Sequence, residues 1–346
     1  MGILFAVLMI ITFGFAYNSV QSNTICLAWQ KAFGIEPATM GIALTVLTLL
    51  IIFGGIHRVA KFSSTVVPVM AVIYLLIAVG VVVWNITSLP KVLLTIIENA
   101  FGFNQAAGGV LGVTVIQGIK RGLFSNEAGE GSAPNAAAVA TVSHPVKQGL
   151  IQALGVFTDT LVVCSCTAFI ILVSGVDLTA SNGIQLTQDA LTHEIGSIGN
   201  PFVAVMIWLF AFSSIIGNYY YGETNVRYIR DSKLGVFVYR LAVAAMVMVG
   251  AVVSLDFAWS FADITMALLT LCNLVAIVLL SRQAVFLLKD YRQQKKEGKN
   301  PVFTKDKMPE IADKLEAWDA FYHGSRHAEE FSFSPWHSFS VKKPYV

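Results

Sequence analysis

The residues most able to do chemistry lie between Gly118 and Ala138, where the sequence reads GIKRGLFSNEAGEGSAPNAAA. This stretch is polar, charged and rich in glycine, yet it lies between segments apolar enough to cross a bilayer. Lipid cannot satisfy free backbone N–H and C=O groups, so such an interruption survives at membrane depth only where protein or a water-filled cavity surrounds it. In secondary transporters, interruptions of this kind form substrate and ion sites. The stretch therefore points first to transport.

Within this stretch we predict an interrupted helix. The run 122–131 holds three glycines and two carboxylates, and Ser132 then restarts a helix as its N-cap, with Pro134 in the first turn. The exposed N–H groups of the new helix would bind a carboxylate, the unwound carbonyls would coordinate Na⁺, and Phe124 would supply an apolar wall. The alternative is a plain cytoplasmic loop anchored by its two basic residues. The predicted motif comprises Gly122, Ser125, Asn126, Glu127, Gly129, Gly131 and Ser132.

A patch of amides lies near the start of the chain. Asn18, Gln21 and Ile25 share one face of a predicted helix, at spacings of three and four residues. Neutral amides inside a membrane helix form hydrogen bonds either to another helix or to a ligand. Because three amides fall within residues 18–23, we favour a patch that faces a ligand, with interhelical bonding as the alternative.

Two neighbouring serines later in the chain could bind a cation. The hydroxyl oxygens of Ser213 and Ser214 suit a hard monovalent cation, and Asn218 follows Ser214 by one helical turn on the same face. The alternative is that each serine hydroxyl bonds back to a carbonyl of its own helix.

One carboxylate, that of Asp159, lies deep within a predicted span. Intramembrane carboxylates are costly and are functional by default, so we predict Asp159 to be a buried acid that pairs with Lys120, Arg121 or a cation. The sequence shows no nucleophile beside a general base, no phosphate-binding loop and no metal-ligand spacing of cysteines or histidines. We therefore predict no catalytic residue, no metal site, no cofactor other than Na⁺ as coupling ion, and no nucleic-acid partner.

The composition indicates the elements that position these residues. Charged residues make up 13% of the chain and apolar residues 55%, and the mean hydropathy is +0.68. Since soluble domains carry about 25% charged residues, a soluble globular protein is excluded, and we predict an all-α polytopic membrane protein. A transmembrane domain over 1–286 precedes a tail over 287–346. Its eight predicted spans are 3–26, 39–57, 64–85, 106–141 (interrupted), 147–174, 201–226, 234–254 and 261–282.

The placement of Lys and Arg predicts the orientation. Arg58 and Lys61 follow the second span, Lys147 opens the fifth, and further basic residues follow the sixth and the eighth. An alternating path puts all of these on one side, which the positive-inside rule assigns to the cytoplasm. We therefore expect a multi-pass protein of the cell (inner) membrane with a cytoplasmic C-terminal tail.

Several strings in the chain resemble the alanine or glycine:cation symporter family, also called sodium:alanine symporters. The string RGLFSNEAGEGSAPNAAA, followed by HPVKQGL and VFTDTLVVC, is similar to that family's signature, and so are NSVQSNTI and FSSIIGNYYYGE. The resemblance covers nearly all of residues 1–290. It implies a LeuT-like fold of two inverted five-helix repeats, in which Na⁺, sometimes H⁺, drives the uptake of small neutral amino acids.

The resemblance also implies which residues bind substrate and ion. Family members usually have Thr and Trp at the positions of Ser214 and Asn218, and a short amide in place of an indole changes the size of the pocket and its substrate preference. Together with the amide patch, the predicted substrate-binding set is Asn18, Gln21, Ile25, Phe124, Ser214 and Asn218, and the cation-binding set is Ser213 and Ser214.

The resemblance predicts a deficit in helices. If 106–141 begins the second repeat, five helices should precede it, whereas three are found. We therefore expect a LeuT-like fold that is N-terminally truncated and lacks its first two helices. The expected function is Na⁺-coupled symport of alanine or glycine into the cell by alternating access, with a small neutral amino acid, Na⁺ and the lipid bilayer as partners. The alternatives are a proton-coupled amino-acid transporter, with Asp159 or Glu127 as carrier, and a non-transporting membrane subunit or fragment.

Overall fold

The structure is a computed structural model that describes residues 1–54, 56–101, 108–315 and 318, with backbone alone over helix residues 56–67 and 108–114. All regular elements in these ranges are helical, as the all-α prediction requires. The longer helices are α1 Gly2–Phe33, α2 Pro37–Gly54, α3 Ile56–Trp84, α4 Leu89–Phe101, α5 Gly108–Asn126, α6 Ser132–Ala137, α7 Pro145–Ser174, α8 Ile184–Ile195, α9 Gly199–Ile229, α10 Lys233–Val252 and α11 Leu255–Lys296.

Several of these helices can cross a membrane. In the described part of the chain, six helices are long and apolar enough, or seven if the pair Pro68–Trp84 and Leu89–Phe101, bent by 103°, counts as one span. This agrees with a polytopic membrane protein. The count of eight spans stays a prediction, since residues 102–107 at the start of the interrupted span lie outside the described chain.

The chain divides into two compact units. The first consists of the described residues of Met1–Ala140 and Leu150–Arg282, and the second of Thr141–Gly149 together with the described residues from Gln283 onward. The second unit therefore joins the segment before α7 to the end of α11, a long-range pairing that sequence periodicity cannot indicate.

The first unit has α1 at its centre. One buried apolar cluster joins α1 to α2, α9 and α10 through residues such as Ile25, Leu44, Ile215 and Val247. A second cluster joins the first half of α1 to α11, with Phe13 as its largest fully buried side chain. The two clusters together hold α1 in place, because the stabilisation from burial grows with the apolar area that α1 buries against all of its neighbours.

A polar seam joins α1 to α10. Ser22 Oγ donates to the carbonyl of Val247 at 2.6 Å, and Asn23 Nδ2 donates to the carbonyls of Gly250 at 3.0 Å and Val253 at 2.8 Å. A Cβ atom at Gly250 would lie 2.5 Å from the carbonyl oxygen of Ser19, so only glycine allows the two backbones to approach this closely. We call these residues the α1–α10 seam.

The second unit is built around a buried histidine. His144 is fully buried, its Nε2 lies 3.2 Å from a carboxylate oxygen of Asp290, and Lys307 Nζ lies 2.9 Å from the same carboxylate. Burial lowers the pKa of His144, against the opposing effect of Asp290. His144 Nδ1 accepts from Val146 N at 3.2 Å, so Nε2 donates to Asp290. The chain after α11 returns to this histidine, and Phe303 N donates to the carbonyl of Ser143 at 2.9 Å.

Candidate substrate and ion site

The helix is interrupted within the segment that the sequence singles out. α5 ends at Asn126 and α6 begins at Ser132. Between them the chain takes left-handed conformations at Glu127, with φ 53°, Gly129, with φ 79°, and Gly131, with φ 83°. Glycine adopts these angles without a steric cost, which explains why the helix stops here.

The prediction that Ser132 is an N-cap is wrong. Gly131 holds the flanking position, no side chain caps the helix, and Ser132 is its first residue. The left-handed turn at Gly131 sends the chain back on itself, so the buried Ser132 hydroxyl donates to the Glu127 carboxylate instead. α6 has only six residues, about 9 Å of helix, which is too short for the predicted carboxylate site at its N-terminus.

Glu130 is the buried acid of this region. It is 0% exposed, and its Oε1 accepts a hydrogen bond of 2.8 Å from the Tyr17 hydroxyl of α1. Its Oε2 has no hydrogen-bond partner in the described part of the chain. The preceding carbonyl, of Gly129, accepts from Asn273 Nδ2 of α11 at 2.8 Å. Sequence analysis did not single out Glu130, although it lies between two glycines that force it into a turn.

Asp159 is exposed, so the prediction of a buried acid at this position is wrong. Its carboxylate accepts from Ser125 Oγ at 3.0 Å, and the predicted cationic partners bind elsewhere: Lys120 Nζ lies 3.2 Å from Asp263, which Arg121 also contacts. The reason is packing, because only 6% of the apolar stretch of α7 is buried, and a carboxylate on such a helix is not enclosed.

An aromatic stack lines the end of α5. The Phe124 ring centroid lies 4.7 Å from that of Tyr17 and 4.8 Å from that of Trp259. The Arg121 guanidinium lies over the Trp259 ring at 4.0 Å, a cation–π contact. Phe124 is partly buried, so the predicted apolar wall is an aromatic surface continuous with the residue that binds Glu130.

The amides of α1 and α9 meet in the core. Asn218 Nδ2 donates to Asn18 Oδ1 at 3.2 Å, Asn18 Nδ2 donates to the carbonyl of Gly14 at 3.0 Å, and both asparagines are buried. Gln21 is half-buried and has no hydrogen-bond partner among the described residues. Ile25 is fully buried in the apolar cluster between α1, α2, α9 and α10. Of the predicted set on α1, Gln21 alone presents unpaired polar atoms.

The two serines of α9 bond to their own helix. Ser213 Oγ donates to the carbonyl of Phe210 at 2.8 Å and Ser214 Oγ to the same carbonyl at 3.1 Å. Each hydroxyl keeps lone pairs that can accept a cation, so a cation-binding role stays a prediction. No group of three or more His, Cys, Asp or Glu side chains in the described ranges is arranged to hold a metal ion.

Two π-helical turns lie beside the interruption. One spans Ile10–Tyr17 and ends at the tyrosine that donates to Glu130; the other spans Thr158–Val163 and contains Asp159, which accepts from Ser125. π-helical turns are rare and occur often at functional sites. Sequence analysis missed both, since no residue pattern distinguishes them from an α-helix.

Comparisons with known proteins identify relatives of this chain. The model of the sodium:alanine symporter family matches residues 1–305. The chain is 54% identical over 307 residues to the probable sodium/glutamine symporter GlnT of Bacillus subtilis (strain 168), an alignment covering 88% of this chain and 64% of that protein. It is 50% identical over 319 residues to the amino-acid carrier protein AlsT of the same organism, covering 92% and 68%.

A third relative carries another name. The chain is 38% identical over 306 residues to the sodium/proton-dependent alanine carrier protein of Bacillus sp. (strain PS3). That alignment covers 83% of this chain and 69% of that protein. The chain thus spans 64%, 68% and 69% of the lengths of these three relatives.

Proposed function

Since this chain belongs to the sodium:alanine symporter family, we propose that it carries out sodium-coupled import of a small neutral amino acid, alanine or glycine, by alternating access. The family is one of transporters rather than enzymes. The observation that carries the proposal is the interruption between α5 and α6, which combines unwound backbone, an aromatic wall and a buried carboxylate. Such interruptions hold substrates and ions in secondary transporters.

The proposed substrate lies between Phe124 and Gln21. The Gln21 amide supplies both a donor and acceptors. No described residue bonds to it, which leaves these groups for a zwitterionic amino acid. Phe124 limits the length of the side chain that the pocket accepts. We further propose a LeuT-like fold in the inner membrane, with the chain after α11 in the cytoplasm.

Proteoliposomes test this function. We expect the purified chain to accumulate labelled alanine when Na⁺ is present outside, and to lose that accumulation when choline replaces Na⁺ at fixed pH. Accumulation that persists in choline and disappears when the pH gradient is collapsed would establish proton coupling instead. No accumulation in either medium would leave the chain a non-transporting subunit or fragment.

A sodium site at Ser213 and Ser214 can be tested separately. Loss of a hydroxyl ligand in Ser214→Ala should raise the Na⁺ concentration needed for half-maximal uptake. Thr224→Val is the matched control, because Thr224 Oγ1 donates to the carbonyl of Tyr221 at 2.8 Å in the same helix and is outside the proposed site. An unchanged Na⁺ dependence in Ser214→Ala would assign Ser214 to helix packing.

Glutamine is a second candidate substrate. Asn218 places a short amide where the family resemblance implies an indole, and a relative that shares 54% of its residues is named a probable sodium/glutamine symporter. A smaller residue at this position leaves room for a longer side chain. Excess unlabelled glutamine should then compete with labelled alanine, and Asn218→Trp should weaken the competition by glutamine more than that by glycine. Equal competition before and after the substitution would exclude a role for Asn218 in substrate size.

A further inference from the structure

We propose that the Glu130 carboxyl is a proton-binding site whose proton is exchanged as the transporter changes conformation. This inference rests on the proposed transport function and adds to it a second ion, bound apart from the serines of α9. Asp159 and Glu127 were the carriers considered from sequence. Asp159 is exposed, and Glu127 is half-buried and bonded to Ser132, whereas Glu130 is 0% exposed.

The surroundings of Glu130 favour the protonated form. An ionised carboxylate taken out of water costs several kcal/mol unless it is paired and hydrogen-bonded. Glu130 receives one hydrogen bond from a neutral donor, Tyr17, at Oε1 and none at Oε2 among the described residues. The basic side chains at the end of α5, Lys120 and Arg121, pair with Asp263.

The same geometry favours a proton over a metal ion. Hard cations in proteins are held by several oxygen ligands at once. Glu130 Oε2 has no hydrogen-bond partner in the described chain, and no group of three or more His, Cys, Asp or Glu side chains there is arranged to hold a metal ion. A proton needs only Oε2 as its binding atom, and it neutralises the negative charge of the carboxylate, which burial disfavours.

The position of Glu130 makes the proton exchangeable. Glu130 lies on a turn with left-handed residues on both sides, Gly129 and Gly131, and a single hydrogen bond ties its carboxyl to α1. Movement of the turn away from Tyr17 removes the one donor that the described residues supply, opens the carboxyl to water and changes which of its two forms is favoured. The donor belongs to the stack with Phe124, so closure of the proposed substrate wall and protonation are mechanically linked.

Other titratable groups face this turn. Glu127 lies on the turn itself, Tyr17 on α1, Tyr221 on α9 and Asp263 on α11. The Asp263 charge is compensated by its two basic partners. Glu127 adds a like charge when ionised, which further favours a proton on Glu130.

Infrared spectroscopy tests the proton site without transport. The purified full chain in lipid should show the C=O stretch of a protonated carboxylic acid near neutral pH. We expect Glu130→Gln to remove this band, Glu127→Gln to retain it, and Tyr17→Phe to shift it because one hydrogen bond is lost. A band that survives in Glu130→Gln, or is unshifted in Tyr17→Phe, would overturn the proposal. The tyrosine variant keeps the test valid if the glutamine variant does not fold.

Transport then tests the exchange. In proteoliposomes, alanine uptake by the unmodified chain should change with an imposed pH gradient, and uptake by Glu130→Gln should not follow that gradient. A response that is the same in both would overturn the exchange of this proton. If the unmodified chain takes up no alanine, the proposed transport function fails, while the infrared band still decides whether Glu130 holds a proton.

Discussion

α1 and α7 both contact the interrupted segment, yet they hold it very differently. Each is a long apolar helix with a π-helical turn. α1 bonds the segment through Tyr17, and α7 bonds it through Asp159 and through the Cys164 thiol, which lies 3.1 Å from Ser125 Oγ. In α1, 56% of the apolar stretch is buried, against 6% in α7. The contact from α1 reaches a fully buried carboxylate, whereas the contacts from α7 join the half-buried Ser125 to the exposed Asp159 and Cys164. The static contacts therefore hold the segment more strongly to α1 than to α7.

The largest loss of stability is expected from Gly131→Ala, a substitution in the turn that packs against α1. A Cβ atom there would lie 2.8 Å from both Asn273 Oδ1 and Phe5 Cζ, in a residue with φ 83°. Strain and overlap together should cost about 3 kcal/mol or more, seen as a large drop in melting temperature of the purified chain in detergent.

Gly122→Ala is the matched control for that substitution. Gly122 lies inside α5, and its Cβ would meet no atom within 4 Å. Alanine there should leave the melting temperature unchanged or raise it, since alanine is favoured over glycine in a helix by about 0.5–1 kcal/mol. Equal melting temperatures for the two variants would show that the turn is not anchored.

An intermediate effect is expected from Tyr17→Phe. The substitution keeps the ring in its aromatic stack but removes the donor to Glu130, and an unpaired buried acceptor costs about 1–3 kcal/mol. Tyr220→Phe is the control, because the Tyr220 hydroxyl has no hydrogen-bond partner in the described part of the chain. The same melting experiment decides. If Tyr17→Phe lowers the melting temperature no more than Tyr220→Phe does, the hydrogen bond from Tyr17 does not stabilise the segment.

The smallest effect is expected on the α7 side. Ser125→Ala and Asp159→Asn each weaken the hydrogen bond between the half-buried Ser125 and the exposed Asp159, and the loss of a contact at the surface changes stability by about 0.5 kcal/mol or less. We expect melting temperatures close to that of the unmodified chain. If either variant lowers the melting temperature as much as Tyr17→Phe does, α7 stabilises the segment as strongly as α1 does, and the difference between the two helices is contradicted.

Local patterns were enough to predict the interruption. Glycines and carboxylates between apolar runs mark the place where the helix stops, and Phe124 beside them forms an apolar wall. The asparagines at 18 and 218 were predicted as polar residues of one site, and the structure bonds them to each other. These features depend on residue type and short-range spacing, which a single sequence contains.

Tertiary contacts decided what could not be predicted. Whether Glu130 or Asp159 is the buried acid depends on how closely α1 and α7 pack against the turn, and neither carboxylate carries that information in its neighbours along the chain. The pairing of Lys120 and Arg121 with Asp263 spans more than a hundred residues. The chain between the predicted spans 147–174 and 201–226 contains α8, whose buried Gln188 donates from Nε2 to the carbonyl of Ala28.

The α1–α10 seam has a consequence for the synthesis of the chain. The Ser22 hydroxyl and the Asn23 amide nitrogen donate to carbonyls that lie 225 to 230 residues later. At 5–20 residues per second, the ribosome reaches those carbonyls roughly 10–45 s after it has made α1. During that interval the amide of Asn23 would be unsatisfied in hydrocarbon. We therefore expect α1 to remain in contact with the insertion machinery until α10 emerges, so that the order of membrane integration differs from the order of translation.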